Sequence, residues 1–167
     1  IALHDIMRSF ILAYLSESES KGCHERAMEL LEPTGRNKIE MAYHAINAGK
    51  VEVGIRELSA NGEALIEAGF SSDLLALLDG LPDRSFASEL RCSVSMLKMM
   101  ALDFIGQYDK VISIFERSEP GLRSDPNAML RAAESYLEIG RMERASGIYS
   151  ELRRRKLDDS SSVTMLR

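Results

Sequence analysis

The sequence predicts an all-α protein, a right-handed α/α superhelix of antiparallel helix pairs of the tetratricopeptide type. The first observation behind this prediction is an internal repeat. A shift of 34 residues, equal to the tetratricopeptide period, superimposes similar residues. The superimposed pairs are Gly106 with Gly140, Leu102 with Tyr136, Ile105 with Ile139 and Val111 with Ala145.

The second observation is a recurring turn motif at Gly106 and Gly140. Both GQYDKV and GRMERA read glycine, polar, apolar, acidic, any residue, small residue, and GKVEVG at Gly49 is a looser third copy. Glycine suits a left-handed turn that ends a helix. The small residue five positions later lets the returning helix approach closely. The motif therefore predicts helical hairpins.

The composition is the third observation. The chain has 45% apolar residues, four prolines and 6% aromatic residues, a composition that favours helix. Because 26 acidic residues exceed 21 basic ones, the net charge of −5 argues against direct contact with nucleic acid or an anionic membrane. No apolar run is long enough to span a membrane, so we expect a cytoplasmic protein.

Residues 1–35 are predicted to form a helical segment that lies outside the repeat. Its first helix is expected in HDIMRSFILAYLS. Ser16 and Glu19 form a capping box that opens a second helix through Leu31. Residues 33–35, Pro-Thr-Gly, interrupt the helical pattern.

Residues 36–167 are predicted to form the repeat array, truncated at its C-terminus. Asn37 caps a helix that stops at Gly49. A long helix then reaches Ala68 before Gly69, and a short one covers about residues 73–79.

The second half of the array is predicted in the same way. One long helix, rich in Leu and Met, ends at Ile105, and a second returns over residues 108–117. Asp125 and Pro126 provide an N-cap and a first-turn proline for the next helix. The final helix is expected over residues 141–156, where DDSSS stops it, and Val163 to Leu166 is assigned to another helix.

The sequence predicts no enzyme and no metal site. His4, His24 and His44 lie on three predicted helices, and no two are spaced along the chain to share a metal. The cysteines show no metal or redox spacing, and no phosphate loop, dinucleotide fingerprint or nucleophile elbow occurs. We expect no cofactor in this chain.

Two further clusters each allow two interpretations. The basic run Arg153 to Lys156 is either a docking patch or a solvated last helical turn, and the helix dipole favours the second. Met96, Met99 and Met100 form either an adaptable binding surface or core filling, and the leucine-rich helix favours the core.

The N-terminal residues resemble a known family. Leu3-His4-Asp5-Ile6 is similar to the end of the winged-helix segment in the STAND class of signalling ATPases. YHAINAGKVEVGIRELSANGEALIEAGFSSDLLALLDGLPD resembles the first helical pairs of the sensor arm in MalT-like LuxR-family regulators and related archaeal ATPases. Those arms usually carry alanine where Gly54 stands. The resemblance implies that residues 1–35 follow a missing winged-helix and nucleotide-binding region. It also implies that ATP and ADP bind the full-length protein, and that His4 senses the β-phosphate of ADP.

The leading hypothesis is therefore a binding module, the sensor or interaction arm of a nucleotide-switched transcriptional or signalling regulator. Its partner would be a protein or a small-molecule inducer, with no membrane or direct nucleic-acid contact, and self-association stays open. Helical-pair geometry places Tyr43, Met99 and Tyr136 on the concave partner surface, although each also suits a core position. The alternative is a stand-alone scaffold for protein partners without a nucleotide switch.

Overall fold

A computed structural model of the protein describes residues 14–31, 38–81 and 87–164, with side chains described as far as Arg155. Within these residues the chain forms helices joined by turns and bends, without a strand. The helices, in chain order, are α1 (Glu17–Leu31), α2 (Lys38–Asn47), α3 (Val51–Glu67), α4 (Ser71–Asp79), α5 (Ser88–Phe104), α6 (Tyr108–Arg117), α7 (Pro120–Arg123), α8 (Pro126–Glu138) and α9 (Met142–Thr164). The all-helical prediction is confirmed for these ranges.

The chain divides into two compact units, Ile1–Asn61 and Gly62–Arg167. The domain boundary predicted between residues 35 and 36 falls in an undescribed stretch and stays a prediction. Most of the first predicted helix, the Pro-Thr-Gly interruption and the Asn37 cap also lie outside the described residues.

The first unit shows how local chemistry starts and packs its helices. The capping box at the start of α1 is confirmed, because the Ser16 N–H donates to the Glu19 carboxylate at 2.9 Å. The helices α2 and α3 approach closely at Gly54. A Cβ atom there would lie 2.6 Å from Cγ1 of Ile46 and 2.9 Å from the carbonyl oxygen of Ala42. The small residue five positions after Gly49 is therefore a steric requirement.

Four glycines end helices in the left-handed conformation. Their φ angles are 83° at Gly49, 89° at Gly69, 73° at Gly106 and 76° at Gly140. At each turn the residue after the glycine donates its N–H to a carbonyl five residues earlier, at distances of 2.8 or 2.9 Å. The four predicted helix stops are confirmed.

In the second unit, α5 packs against α6 and α8 packs against α9, so the turns at Gly106 and Gly140 each join two helices in contact. We call these two pairs the first and the second hairpin. Val111 and Ala145, the small or apolar residues five positions after Gly106 and Gly140, are both fully buried. One core cluster joins Met99 and Leu102 to Val111, and a second joins Ile112 to Tyr136 and Ala145. Ile112 thereby connects the first hairpin to the second.

The junction between the two hairpins contains a predicted cap and a helix that the sequence analysis missed. The Asp125 side chain accepts hydrogen bonds from the N–H groups of Asn127 and Ala128, both at 2.9 Å, as the N-cap prediction requires. The four-residue helix α7 precedes it, with Pro120 at its first position. A segment of one turn is too short to show helical periodicity.

The last helix corrects two predictions. α9 continues through DDSSS to Thr164, so the predicted stop was wrong, and so was the assignment of Val163 to another helix. Asp and Ser cost only a few tenths of a kcal/mol to about 0.7 kcal/mol each relative to alanine in a helix, and the stretch contains neither glycine nor proline. The basic run Arg153 to Lys156 consequently lies inside the helix and not in its last turn.

Candidate functional site

A groove lies where α4, α5 and α6 meet. We call it groove 1, and its volume is about 510 Å³. Leu102 of α5 lines it together with Lys110, Ser113 and Ile114 of α6, and Leu75 of α4 forms part of the opposite wall. Residues 110, 113 and 114 share one face of α6 because they are spaced by three and four positions.

A second groove lies where α6, α8 and α9 meet. Groove 2 has a volume of about 490 Å³. Tyr136 of α8 lines it together with Arg144, Gly147 and Ile148 of α9, and Phe115 of α6 forms part of the opposite wall. The helices are arranged around it in the same order as in groove 1.

The two grooves are equivalent under the repeat. The shift of 34 residues carries four lining residues of groove 1 onto four of groove 2. The matched pairs are Leu102 with Tyr136, Lys110 with Arg144, Ser113 with Gly147 and Ile114 with Ile148. The repeated helix pair thus builds the same cavity twice, with a cation at the same position in each.

Tyr136 distinguishes groove 2 from groove 1. It is only 3% exposed, and its hydroxyl donates a hydrogen bond of 2.6 Å to Oε1 of Glu116. Burial, followed by the Glu116 carboxylate, raises the pKa of Tyr136 to about 12, against the opposing influence of Arg144 and Arg141. The phenol is therefore a protonated donor throughout the physiological range.

An ion pair joins the first helices of successive hairpins. Nη1 of Arg131 in α8 lies 2.9 Å from Oδ2 of Asp103 in α5, and both side chains are less than one-third exposed. Together with the bond from Tyr136 to Glu116, this pair fixes α8 against both helices of the preceding hairpin.

The structure places the predicted partner residues in three different environments. Tyr136 lines groove 2, whereas Met99 is fully buried in the core of the first hairpin and has no surface for direct contact. Tyr43 is half-buried in the first unit. His4, the predicted ADP sensor, lies outside the described residues.

Tyr43 belongs to an aromatic cluster with His24 and His44. The Nδ1 atoms of the two histidines lie 2.7 Å apart, so one ring donates a hydrogen bond and the other accepts it. The Tyr43 ring meets both imidazoles edge-on, at centroid distances of 5.6 and 5.3 Å. The packing of α1 on α2 creates this pair, which is invisible in the sequence because the two residues are 20 positions apart.

No group of three or more His, Cys, Asp or Glu side chains with metal-binding geometry occurs among the described residues. Both cysteines are free thiols, Cys23 exposed and Cys92 half-buried. The helices of the described ranges also include none long and apolar enough to cross a bilayer.

One residue of the basic run, Arg155, holds α9 in place. Arg154 and Arg155 both bind the Glu151 carboxylate, and Arg155 also donates from Nη1 to the carbonyl oxygen of Ser124 at 2.8 Å. Hydrogen bonds from the two guanidinium groups lower the pKa of Glu151, with that of Arg155 first. Arg155 thus connects α9 to the end of α7.

The cations of the two grooves were not predicted, although the repeat contained a signal for them. Lys110 and Arg144 occupy the position of the turn motif at which any residue was allowed. Both are the fourth residue after a turn glycine, and both are basic. Their agreement across the repeat could have indicated a shared role.

Comparisons of the chain with protein-family models, with curated proteins and with solved structures give no match.

Proposed function

We propose that the protein is a helical-repeat binding module, a right-handed tetratricopeptide-like superhelix that holds a protein partner or a small-molecule inducer between successive helix pairs. The observation that carries this proposal is the equivalence of grooves 1 and 2 under the 34-residue shift. If the repeat only built a hydrophobic core, only buried residues would have to recur after 34 positions. Here a solvent-facing cavity and its cation recur as well.

The lining of the grooves suits a ligand with both apolar and anionic groups. Groove 1 combines Leu75, Leu102 and Ile114 with the cation of Lys110, and groove 2 combines Phe115 and Ile148 with that of Arg144. The apolar residues gain free energy when a ligand removes their surface from water. The exposed cations select a negative group and steer its approach.

We further propose that this module is the sensor or interaction arm of a nucleotide-switched regulator, transcriptional or signalling, in the cytoplasm. The resemblance of Leu3-His4-Asp5-Ile6 to the STAND signature supports this role. ATP and ADP would bind the full-length protein, with His4 near the β-phosphate of ADP. A bound partner would then shift the switch by favouring one arrangement of the arm over the other.

The test is ADP and ATP binding by the full-length gene product, measured by calorimetry for the native protein, for His4→Ala and for Tyr136→Phe as a control. If the nucleotide switch exists, the native protein binds ADP, and His4→Ala binds it roughly tenfold more weakly. This is the effect expected from the loss of one charge-assisted hydrogen bond. Tyr136→Phe should bind ADP like the native protein.

Absence of nucleotide binding would overturn the switch. The alternative function, a stand-alone scaffold that gathers protein partners, would then remain, because the two grooves exist without any nucleotide. Pull-down with the native chain and with Arg144→Glu would identify partners that depend on groove 2.

A further inference from the structure

A third cavity adjoins groove 1 along α5 and α6. Its volume is about 400 Å³, and it shares the lining residues Lys98, Ser113 and Ile114 with groove 1. The two cavities adjoin at these residues, and we call them together the furrow.

The furrow follows single faces of two helices. On α5 its lining includes residues 91, 95, 98 and 102, with Ile105 directly after the end of the helix, and on α6 it includes residues 110, 113, 114 and 117. Both sets are spaced by three or four positions and so lie along one side of each helix. From Arg91 to Ile105 the furrow extends about 21 Å, at ~1.5 Å per helical residue. An extended peptide of about six residues has this length.

The charge of the furrow is opposite to that of the chain. Four cationic side chains line it, against two carboxylates, whereas the whole chain has a net charge of −5. The cations are Arg91, Lys98, Lys110 and Arg117, and the carboxylates are Asp79 and Glu119.

The cations differ in how they are neutralised. Glu119 binds Arg91, and Asp79 binds Lys98. Lys110 and Arg117 are exposed and form no ion pair with any residue in the described part of the chain. Two positive charges on one face of α6 are thus available to an anionic ligand.

This cationic character is not a by-product of the repeat. The 34-residue shift carries Arg91, Lys98 and Arg117 onto Asp125, Ala132 and Glu151, which are acidic or apolar. Only Lys110 retains a basic equivalent, Arg144. The second hairpin has the same fold without these charges, so the fold does not require them.

The rest of the lining favours a peptide over a nucleic acid. The floor is aliphatic, with Val94, Ile114 and Leu122 beside the hydroxyls of Ser95 and Ser113. The described lining residues include no aromatic ring on which a base could stack, and the two carboxylates would repel phosphates.

We propose that the furrow binds an extended peptide segment of a protein partner in which acidic residues alternate with apolar ones. This inference rests on the proposed binding function and names the class of partner. Lys110 and Arg117 bind carboxylates of the peptide, and apolar side chains of the peptide cover Val94 and Ile114. Arg91 exchanges the carboxylate of Glu119 for one from the peptide.

The test uses an array of peptides of about ten residues, long enough to overhang the furrow at both ends. The array contains peptides in which acidic and apolar residues alternate, the same peptides with each acidic residue replaced by lysine, and neutral peptides. The full chain is applied as native protein, as Lys110→Glu/Arg117→Glu, as Glu119→Gln, as Arg144→Glu in groove 2 and, as a control, as Arg153→Glu. Fluorescence anisotropy then gives the dissociation constants of the peptides retained most strongly, and of a single-stranded oligonucleotide.

We expect acidic-apolar peptides to be retained in preference to their basic counterparts, with weaker binding at high salt. The double charge reversal should weaken binding roughly tenfold or more, and Glu119→Gln should strengthen it severalfold because it removes a carboxylate that competes with the peptide for Arg91. A gain of affinity cannot result from misfolding. Arg153→Glu, a charge reversal at an exposed position of α9 that lines neither groove nor the furrow, should bind like the native chain.

The furrow proposal is overturned if acidic peptides show no preference, if the oligonucleotide binds instead, or if Arg144→Glu loses binding while the double variant keeps it. In that last case the proposed binding function is retained, but the binding site is groove 2. If no peptide of any composition binds, the furrow proposal fails while a small-molecule ligand in the grooves still agrees with the proposed function.

Discussion

The phenol of Tyr136 donates a hydrogen bond of 2.6 Å to the Glu116 carboxylate, and so joins the first helix of one hairpin to the second helix of the preceding hairpin. Leu102, its equivalent in the first hairpin, has no polar group with which to form such a bond. The repeat therefore preserves the buried position but adds a polar contact in one copy. Tyr136 contributes to the packing of the hairpins and to the wall of groove 2 at once.

Replacing Tyr136 with Phe should lower the free energy of unfolding by about 0.5–1.5 kcal/mol, the net value of one hydrogen bond. Urea denaturation of the full chain measures this change. Tyr149→Phe is the control, because Tyr149 is 36% exposed and should change stability by less than about 0.5 kcal/mol. Equal effects of the two substitutions would contradict the importance of the bond to Glu116.

Tyr136 should also make stability depend on pH in the alkaline range. Its pKa is raised to about 12 in the folded protein, above the value of about 10 for an unfolded tyrosine. The folded state therefore binds the phenolic proton more tightly than the unfolded state does. The contribution of Tyr136 to the stability of the folded protein is complete below pH ~10 and is lost as pH rises towards ~12. The stability difference between native protein and Tyr136→Phe should shrink over this interval, and phenolate absorbance should show one late-titrating tyrosine missing from the variant.

Two glycines inside helices should respond oppositely to alanine. Gly54→Ala places a methyl group against Ile46 and the Ala42 carbonyl, and should destabilise the protein by about 1–3 kcal/mol. Gly147→Ala meets nothing within 4 Å and should stabilise α9 by about 0.5–1 kcal/mol. Thermal unfolding followed by circular dichroism measures both. Stabilisation by Gly54→Ala would refute the close approach of α2 and α3.

The two hairpin turns should tolerate substitution equally poorly. Gly106 and Gly140 have φ angles of 73° and 76°, so alanine at either should cost about 1–2 kcal/mol. Asparagine, which enters the left-handed region more readily, should cost less at both positions. Unfolding free energies of the four single variants test this order. A large cost at one turn and none at the other would contradict their equivalence.

Local chemistry predicted the helix ends well. The Ser16 capping box, the Asp125 N-cap and the turn glycines depend on residues within five positions of one another, and each is found as expected. Elements without a strong local signal were predicted less well. α7 is too short to show periodicity, and α9 continues through DDSSS because weak helix formers do not act as stops.

The sites were harder to predict because each is assembled from distant segments. Groove 1 combines α4, α5 and α6, and the contact of His24 with His44 requires α1 to lie along α2. Of the predicted partner residues, Tyr136 lines a groove whereas Met99 lies in the core. Helical spacing allowed a core position for both Met99 and Tyr136, and both are buried. It could not show which buried position would also border a cavity.

The location of partner binding is tested most directly by amide chemical-shift mapping on the full chain, titrated with the acidic-apolar peptide that binds most tightly. Shifts should concentrate at Ser95, Lys110, Ser113 and Arg117, and they should disappear in Lys110→Glu/Arg117→Glu. Shifts confined to Tyr136, Arg144 and Ile148, or to α1 and α2, would contradict binding in the furrow. The absence of any shift at saturating peptide would contradict peptide recognition by these hairpins.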